Sequence, residues 1–249
     1  MSLGNLNLTK DRAKLKKYFN DYLEYGGFPE VLESKDKNEL SQLYQDVLVK
    51  DLLVRFKIKD DKAFRELVLY LMSNIGTLVS FNNLKKVLGF KSVNQVKNYI
   101  AYLEEAYLVF LLYKYDFSLG KQMINDRKVY GIDTGMIKAV SFSFSENSGR
   151  YLENLVFLEL KRRGKEVYYH KSDHECDFIV RKGLKIYEAI QVAKTLNINN
   201  NERELNGLVS ALKKYNLKEG LILTNDLEED RKFGDFKIKI MPIWKWLLG

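Results

Sequence analysis

The sequence predicts an α+β chain, with a helical N-terminal half followed by an α/β half in which a mixed sheet is flanked by helices. Apolar residues recur at helical spacing through most of the first half, which predicts packed amphipathic helices. After Gly149 the pattern changes to one helix, GRYLENLVFLELKRRG, followed by the strand-like runs EVYYH, ECDFIV and LKIYEAIQVAK. Strands followed by a further helix and strand imply a right-handed crossover, and hence helices on both faces of the sheet.

Residues 1–60 are predicted to form an N-terminal helical segment. Leu15, Phe19 and Leu23 lie on one face of a helical pattern from Asp11 to Tyr25. The run GGFP ends that helix, and a second helical pattern spans Glu39–Phe56. We interpret the two glycines as a turn, because no lysine accompanies them as a phosphate loop would require.

Residues 61–140 are predicted to form a winged helix. Three helical patterns follow one another, and Ser80 and Ser92 are the predicted N-caps of the second and third. The turn GFKS between those two helices has the length found in helix-turn-helix motifs. Two strand-like runs follow, at Tyr107–Tyr115 and Lys128–Ile132.

The third helix of this unit is the predicted DNA-contacting element. Its face away from the core carries side chains that can bind phosphates and base edges in a major groove, namely Lys91, Asn94, Gln95, Lys97 and Asn98. The loop between the two strands, with Lys121 and Arg127, is the predicted wing. The alternative is a winged helix that binds protein and whose polar face is simply solvated.

Residues 141–249 are predicted to form a domain that brings together acids from different elements. The junction between this domain and the preceding one is predicted at about residues 138–149. Glu153 lies on the predicted helix and Asp177 on a strand, so a helix packed face to face on the sheet places both in one pocket. Metal-dependent phosphodiester cleavage needs such carboxylates around a divalent ion, with a lysine to stabilise the developing charge. On the third strand, however, the residues are Gln191 and Ala193.

Several stretches together resemble the C-terminal region of archaeal AAA-type ATPases, which joins a winged helix to a PD-(D/E)XK, restriction-endonuclease-like domain. They are GRYLENLVFLELKRRG, VYYH, ECDFIV, AIQVAK and NERELNGL, with GGFPEV, NYIAYLEEAYLVFLL and KVYGIDTG before them. The resemblance matches Glu153 to the helix acid and Asp177 to the strand acid of the family, which would hold Mg²⁺. It places Gln191 where the second catalytic acid is expected, and Ala193 where the lysine is expected.

These replacements predict a nuclease-like site that is degenerate. Loss of an acid removes an anionic ligand from a hard cation, and loss of the lysine removes a charge stabiliser. We therefore expect a fold used for DNA binding, with two alternatives left open. One is a Mg²⁺- or Mn²⁺-dependent endonuclease acting on branched or partly single-stranded DNA, in which a local bulge brings Glu188 or Lys194 into the site. The other is a protein-interaction or regulatory platform for the ATPase.

Composition favours a polyanionic partner in a reducing compartment. The formal net charge of +8 favours nucleic acid, and no amphipathic membrane anchor or bilayer-spanning run stands out. A single cysteine, Cys176, excludes an internal disulfide and predicts a cytoplasmic protein. The chain has no Walker A motif, so the resemblance implies ATP binding only in an N-terminal AAA module outside this chain. The resemblance is also compatible with an oligomeric protein. The opening Met-Ser-Leu of the chain predicts an excised fragment.

Overall fold

A computed structural model describes residues 11–142, 148–198 and 200–249. The chain forms two compact units. The first is Tyr22–Asn154, and the second is Leu155–Gly249 together with the described residues up to Asp21. Helices dominate the N-terminal part and a mixed sheet flanked by helices follows, so the predicted fold class is confirmed. The predicted junction at 138–149 lies partly outside the described residues.

The N-terminal part is helical as predicted. It contains α1 Arg12–Tyr25, α2 Pro29–Ser34, α3 Lys37–Asp46 and α4 Asp61–Ser73. The second predicted helix is divided, because after α3 the chain continues as a π-helical segment, Val47–Val54. Asp36 begins α3 by accepting a hydrogen bond from the Asn38 N–H, at 2.9 Å.

Two further helices and a three-stranded antiparallel sheet follow α4. Their order is β1 Leu78–Val79, α5 Phe81–Val87, α6 Val93–Glu105, β2 Val109–Tyr113 and β3 Arg127–Gly131. Strand β3 is central and pairs with both β1 and β2. The predicted caps are confirmed, because the Ser80 hydroxyl accepts from the Asn83 N–H and the Ser92 hydroxyl accepts from the Gln95 N–H.

The loop between β2 and β3, residues 114–126, contains a short helix, α7 Leu119–Ile124. Lys121 is exposed in this β2–β3 loop, but the prediction that Arg127 lies in the loop was wrong. Arg127 is the first residue of β3 and is buried, with its guanidinium carbon 4.4 Å from the ring centroid of Phe81 and 4.9 Å from that of Tyr113. Stacking on two aromatic rings allows a weakly hydrated guanidinium to be buried.

The core of the first unit joins the apolar faces of α3, α4 and α6 to the three-stranded sheet. Its fully buried members include Leu40, Leu52, Phe64, Leu67, Leu103 and Val129. Phe64 meets Tyr99 edge to face, with ring centroids 5.0 Å apart. The core therefore fixes the inner face of α6 and leaves its other face outside.

A polar contact joins the two ends of the first unit's sequence. Asp133 begins α8 Thr134–Val140 by accepting a hydrogen bond from the Met136 N–H, at 2.8 Å. Its other carboxylate oxygen accepts from the Gly27 N–H, at 2.7 Å, which fixes the GGFP turn. Burial raises the pKa of the Asp133 carboxyl, and the backbone donors of Gly27 and Met136 oppose that rise.

The remaining elements run from the junction to the C-terminus. They are α9 Ser148–Arg162, β4 Glu166–Lys171, β5 Glu175–Lys182, β6 Lys185–Val192, α10 Asn201–Tyr215, β7 Glu219–Thr224, β8 Glu229–Phe233, β9 Phe236–Pro242 and α11 Ile243–Trp246. Helix α10 packs against β5 and β6, and its Leu205, Leu208 and Leu212 are buried. None of the helices in the described ranges is long and apolar enough to cross a membrane.

The second unit contains a six-stranded mixed sheet in the order β4-β5-β6-β7-β9-β8. Strands β4, β5 and β6 are antiparallel, whereas β7 is parallel to both β6 and β9. Helix α10 connects the parallel strands β6 and β7, as the predicted crossover requires. Strand β8 was not predicted, because its sequence EDRKF lacks apolar alternation, and it forms an edge of the sheet beside β9.

Candidate functional site

The predicted DNA-contacting residues lie at the start of α6 and in the turn before it. Four of them, Lys91, Asn94, Lys97 and Asn98, are exposed. Gln95 is half-buried, and its side-chain amide donates a hydrogen bond to the Tyr99 hydroxyl at 3.3 Å. The outward face of α6 and the turn before it therefore offer two ammonium groups and two amides to a ligand.

Helix α5 extends the positive charge of this surface. Residues 81–103 contain four lysines, Lys85, Lys86, Lys91 and Lys97, and no aspartate or glutamate. We call the surface formed by these lysines with Asn94 and Asn98 the basic face. A concentration of one sign of charge attracts a polyanion and accelerates its encounter.

Phe81 connects the basic face to the base of the β2–β3 loop. The Lys97 ammonium nitrogen lies 5.8 Å from the Phe81 ring centroid, and the Arg127 guanidinium carbon lies 4.4 Å from the same centroid. Arg127 also donates to the backbone carbonyl of Met123 in α7. Phe81 and the buried Arg127 thus connect α5 and α6 to the loop.

The β2–β3 loop presents large apolar side chains to solvent. Phe117 is 78% exposed and Ile124 is 80% exposed, and Leu119 and Met123 are also exposed. Phe117 is supported by an edge-to-face contact with buried Tyr115, with ring centroids 5.4 Å apart. Exposed apolar clusters of this kind commonly mark interaction sites.

Glu153, the predicted helix acid, is buried within the first unit. Its Oε1 accepts hydrogen bonds from the Lys128 ammonium at 2.9 Å and from the Tyr130 hydroxyl at 2.6 Å. Lys128 is only 2% exposed, so the two residues form a buried ion pair. The next residue, Asn154, bonds both the N–H and the carbonyl of Gly131, which fixes α9 to β3.

Asp177 and Gln191, predicted from adjacent strands, lie together in the second unit. Phe178 pairs with Ile190 across β5 and β6, so one step along the ladder places Asp177 beside Gln191. The side-chain amide oxygen of Gln191 accepts a hydrogen bond from the Asp177 backbone N–H at 3.2 Å, and the Asp177 carboxylate accepts one from the Val192 N–H at 3.0 Å. Both side chains are buried.

A third residue of this cluster, Glu204 on α10, was missed by sequence reasoning. The Gln191 amide donates to Glu204 Oε2 at 2.6 Å, and Arg203 Nε donates to Glu204 Oε1 at 3.1 Å. Arg203 thus forms an ion pair with the next residue of α10. The hydrogen bond to Glu204 raises the pKa of the Arg203 guanidinium, with a smaller contribution from Asp177. We call Asp177, Gln191, Glu204 and Arg203 the acidic cluster.

A pattern in the sequence indicates Glu204. Glu204 precedes Leu208 by four positions and Leu212 by eight, so this acid lies on the buried stripe of α10. A charged residue on an otherwise apolar stripe needs a partner inside the protein. Gln191 is that partner, because its amide reaches toward the same helix.

A glycine brings α10 close to the sheet. At Gly207 an added Cβ would lie 2.2 Å from the Glu175 carbonyl oxygen and 3.5 Å from Gln191 Oε1. Only a residue without a side chain allows this approach. One helical turn earlier, Glu204 is consequently within hydrogen-bonding distance of Gln191.

The two residues after β6 have different environments. Ala193 is buried and its N–H donates to the Leu223 carbonyl, whereas Lys194 is exposed. The strand does contain an irregularity, but it lies where Val180 pairs with Glu188 and Arg181 pairs with Ile186. Burial raises the pKa of the half-buried Glu188 carboxyl, and Lys165 opposes that rise. The irregularity thus falls at Glu188, three positions before Gln191.

The cluster's donor set fits a divalent cation poorly. Asp177 accepts a backbone N–H, Glu204 is paired with Arg203, and Gln191 supplies a neutral amide where a carboxylate is needed. Magnesium prefers anionic oxygens in near-octahedral geometry. Among the residues that the structure describes, no group of three or more His, Cys, Asp or Glu side chains is arranged to hold a metal ion.

The fold and these sites define a two-unit α+β chain with a basic helical face and a buried acidic cluster. Residues 16–147 match a family described as Domain of unknown function (DUF8612), and residues 148–246 match one described as Domain of unknown function (DUF4143). The first match covers more than half of the chain, which therefore belongs to the DUF8612 family.

Two curated relatives align along nearly the whole chain. An uncharacterized protein of Methanocaldococcus jannaschii is 37% identical over 274 residues, covering 100% of this chain and 60% of the relative. An uncharacterized protein of Haemophilus influenzae is 29% identical over 250 residues, covering 97% of this chain and 60% of the relative. The chain thus spans 60% of the length of these relatives.

Proposed function

We propose that this chain is the DNA-binding C-terminal region of an archaeal AAA-type ATPase. In this proposal residues 61–140 are a winged helix that holds duplex DNA, and residues 141–249 are a restriction-endonuclease-like domain that has lost cleavage. ATP would be hydrolysed by an AAA module outside this chain, in a cytoplasmic protein. The basic face carries the proposal, because four lysines without an intervening acid lie on α5, on α6 and in the turn between them.

The arrangement of elements supports a helix-turn-helix role for α5 and α6. Serine caps begin both helices, and α6 packs its inner side into the core through Val96, Ile100 and Leu103. Its exposed residues combine ammonium groups for phosphates with amides for base edges. The greater length of both relatives is compatible with a further module.

Replacing Lys91 and Lys97 together by alanine is expected to weaken binding to a duplex oligonucleotide about tenfold or more at low salt. Each lysine that contacts a phosphate contributes about 0.9 to the slope of log K against log salt concentration. The magnitude of this negative slope should therefore be smaller by about 2 in the double variant. Fluorescence anisotropy over a salt series measures both quantities.

Lys213→Ala with Lys214→Ala is the matched control, because it removes the same charge from two exposed residues on α10. This control should retain the parent's slope and affinity. An equal loss of DNA affinity in both double variants would show that the effect comes from net charge alone. Full affinity in the Lys91/Lys97 variant would exclude the basic face as the DNA site.

We infer that the acidic cluster stabilises the second unit and does not cleave DNA. Asp177 and Gln191 join β5 to β6, and Glu204 joins α10 to Gln191 on β6. Arg203 balances one carboxylate, which leaves a weaker field for a cation. A lysine to stabilise a phosphorane-like charge is missing from position 193, where alanine is buried.

One observation favours the second candidate, a metal-dependent endonuclease. Gln191 directs its amide to Glu204, so a second carboxylate does reach the neighbourhood of Asp177. In that case α10 would supply the acid that β6 lacks.

Incubation with plasmid, fork and junction DNA in Mg²⁺ or Mn²⁺ is expected to give no cleavage, because the cluster lacks an acid and a lysine. Gel analysis over several hours at micromolar protein measures this. Cleavage that is lost in both Asp177→Ala and Glu204→Ala would instead establish the nuclease. Cleavage that survives both variants would indicate a contaminant, and the binding proposal would stand.

A further inference from the structure

The β2–β3 loop has an unusual surface for a loop beside a basic face. Four of its residues are large, apolar and exposed, namely Phe117, Leu119, Met123 and Ile124. Apolar side chains that are scattered singly need no explanation, but a group on one short segment does. The Phe117 ring is held by an edge-to-face contact with the ring of buried Tyr115.

The loop is joined directly to the basic face. Arg127 donates to the Met123 carbonyl at the end of α7 and stacks on Phe81, and Lys97 lies over the same ring. These contacts place the base of the loop beside Lys97, at one end of the basic face. A ligand bound at Lys97 is therefore near the start of the loop.

The size and charge of this surface favour nucleic acid over protein. A stable protein interface buries about 800 Å² on each partner and involves about 20–30 residues a side. The apolar group comprises four side chains, far fewer than such an interface needs. Its surroundings carry four lysines between residues 81 and 103, which complement phosphates.

We propose that the β2–β3 loop is a wedge that recognises the open end of a duplex, at a fork or a single-strand junction, through Phe117 and Ile124. The proposal rests on DNA binding by the basic face. The lysines hold the duplex, and Phe117 stacks on the terminal base pair, where an aromatic ring replaces the missing neighbouring base. Apolar side chains inserted at a base step unstack it in other DNA-binding proteins. An open end offers that step without the cost of unstacking.

A comparison of a fork with a dumbbell duplex of equal length tests the wedge, because the loops of the dumbbell close both of its ends. The parent chain should bind the fork about tenfold more tightly, which corresponds to one base-stacking contact. Phe117→Ala with Ile124→Ala should abolish that preference and keep the affinity for the dumbbell. Both side chains are mostly exposed, so the thermal midpoint should be unchanged. The matched control is Leu184→Ala with Ile198→Ala, two exposed apolar residues of the second unit.

A 2-aminopurine base at the first pair of the fork provides a second measurement. Its fluorescence should change with the parent and the control variant and stay constant with the Phe117/Ile124 variant. Equal binding of fork and dumbbell by the parent would overturn the wedge and leave the proposed function intact. A parent that binds neither DNA at low salt would overturn the proposed function and the wedge with it. A fork preference that persists in the Phe117/Ile124 variant, or that disappears in the control, would also overturn the wedge.

Discussion

Replacement of Lys128 by methionine is expected to destabilise the first unit by about 3–5 kcal/mol. Lys128 is 2% exposed and its ammonium lies 2.9 Å from Glu153, which is itself buried. Methionine keeps most of the apolar volume and removes the ammonium group from the buried ion pair with Glu153. Removing one partner of a buried ion pair costs much more than the net value of the pair. Urea denaturation followed by circular dichroism measures the change.

Lys138→Met is the matched control for this prediction. Lys138 also pairs with a glutamate, Glu24, at 2.7 Å, but that pair is partly exposed and should contribute only about 0–1 kcal/mol. The double variant Lys128→Met/Glu153→Leu should recover much of the lost stability, since replacing both charges by apolar groups is often neutral. Similar losses in Lys128→Met and Lys138→Met would contradict the assignment of Glu153 to a buried structural pair.

Replacement of Gly207 by alanine is expected to destabilise the second unit, contrary to the usual effect in a helix. Alanine in a helix interior is normally more stable than glycine by about 1 kcal/mol. At Gly207, however, the new Cβ would lie 2.2 Å from a backbone oxygen of β5, so α10 must move. Overpacking of this kind costs about 1–3 kcal/mol, which exceeds the gain in helix propensity. The shift should also break the Gln191–Glu204 hydrogen bond.

Gly149→Ala separates helix propensity from overpacking, because Gly149 is in α9 and an added Cβ there meets no atom within 4 Å. This control should be neutral or slightly stabilising. Thermal unfolding of both variants gives the sign of each change, and the amide exchange of Gln191 reports on the cluster. A Gly207→Ala variant as stable as the parent would show that α10 approaches β5 less closely than described.

Local features of the sequence were sufficient to predict the helices of the basic face. Ser80 and Ser92 are short-range signals, because each side chain bonds a backbone group three residues away. The helical spacing of Val96, Ile100 and Leu103 then identified the inner face of α6. Such predictions depend on contacts within one turn of helix, which the sequence displays directly.

Contacts between distant residues were harder to predict. The environment of Gln191 depends on Glu204 in the next helix, and that of Glu153 depends on Lys128 in an earlier strand. Arg127 looked like a loop residue because its burial requires two aromatic rings that are remote in sequence. Strand β8 was missed because an edge strand pairs through its backbone, without the apolar alternation that marks a buried strand.

The hydrogen bond between Gly27 and Asp133 has a consequence for biosynthesis, because it spans 106 positions in the sequence. At about 5–20 residues per second, the ribosome delivers Asp133 roughly 5–20 s after Gly27. Throughout that interval the Gly27 N–H lacks the Asp133 carboxylate as its acceptor, and contacts of such long range also form slowly in refolding. The first unit should therefore reach its native state only after translation has passed α8, and nascent chains arrested before Asp133 should remain sensitive to protease.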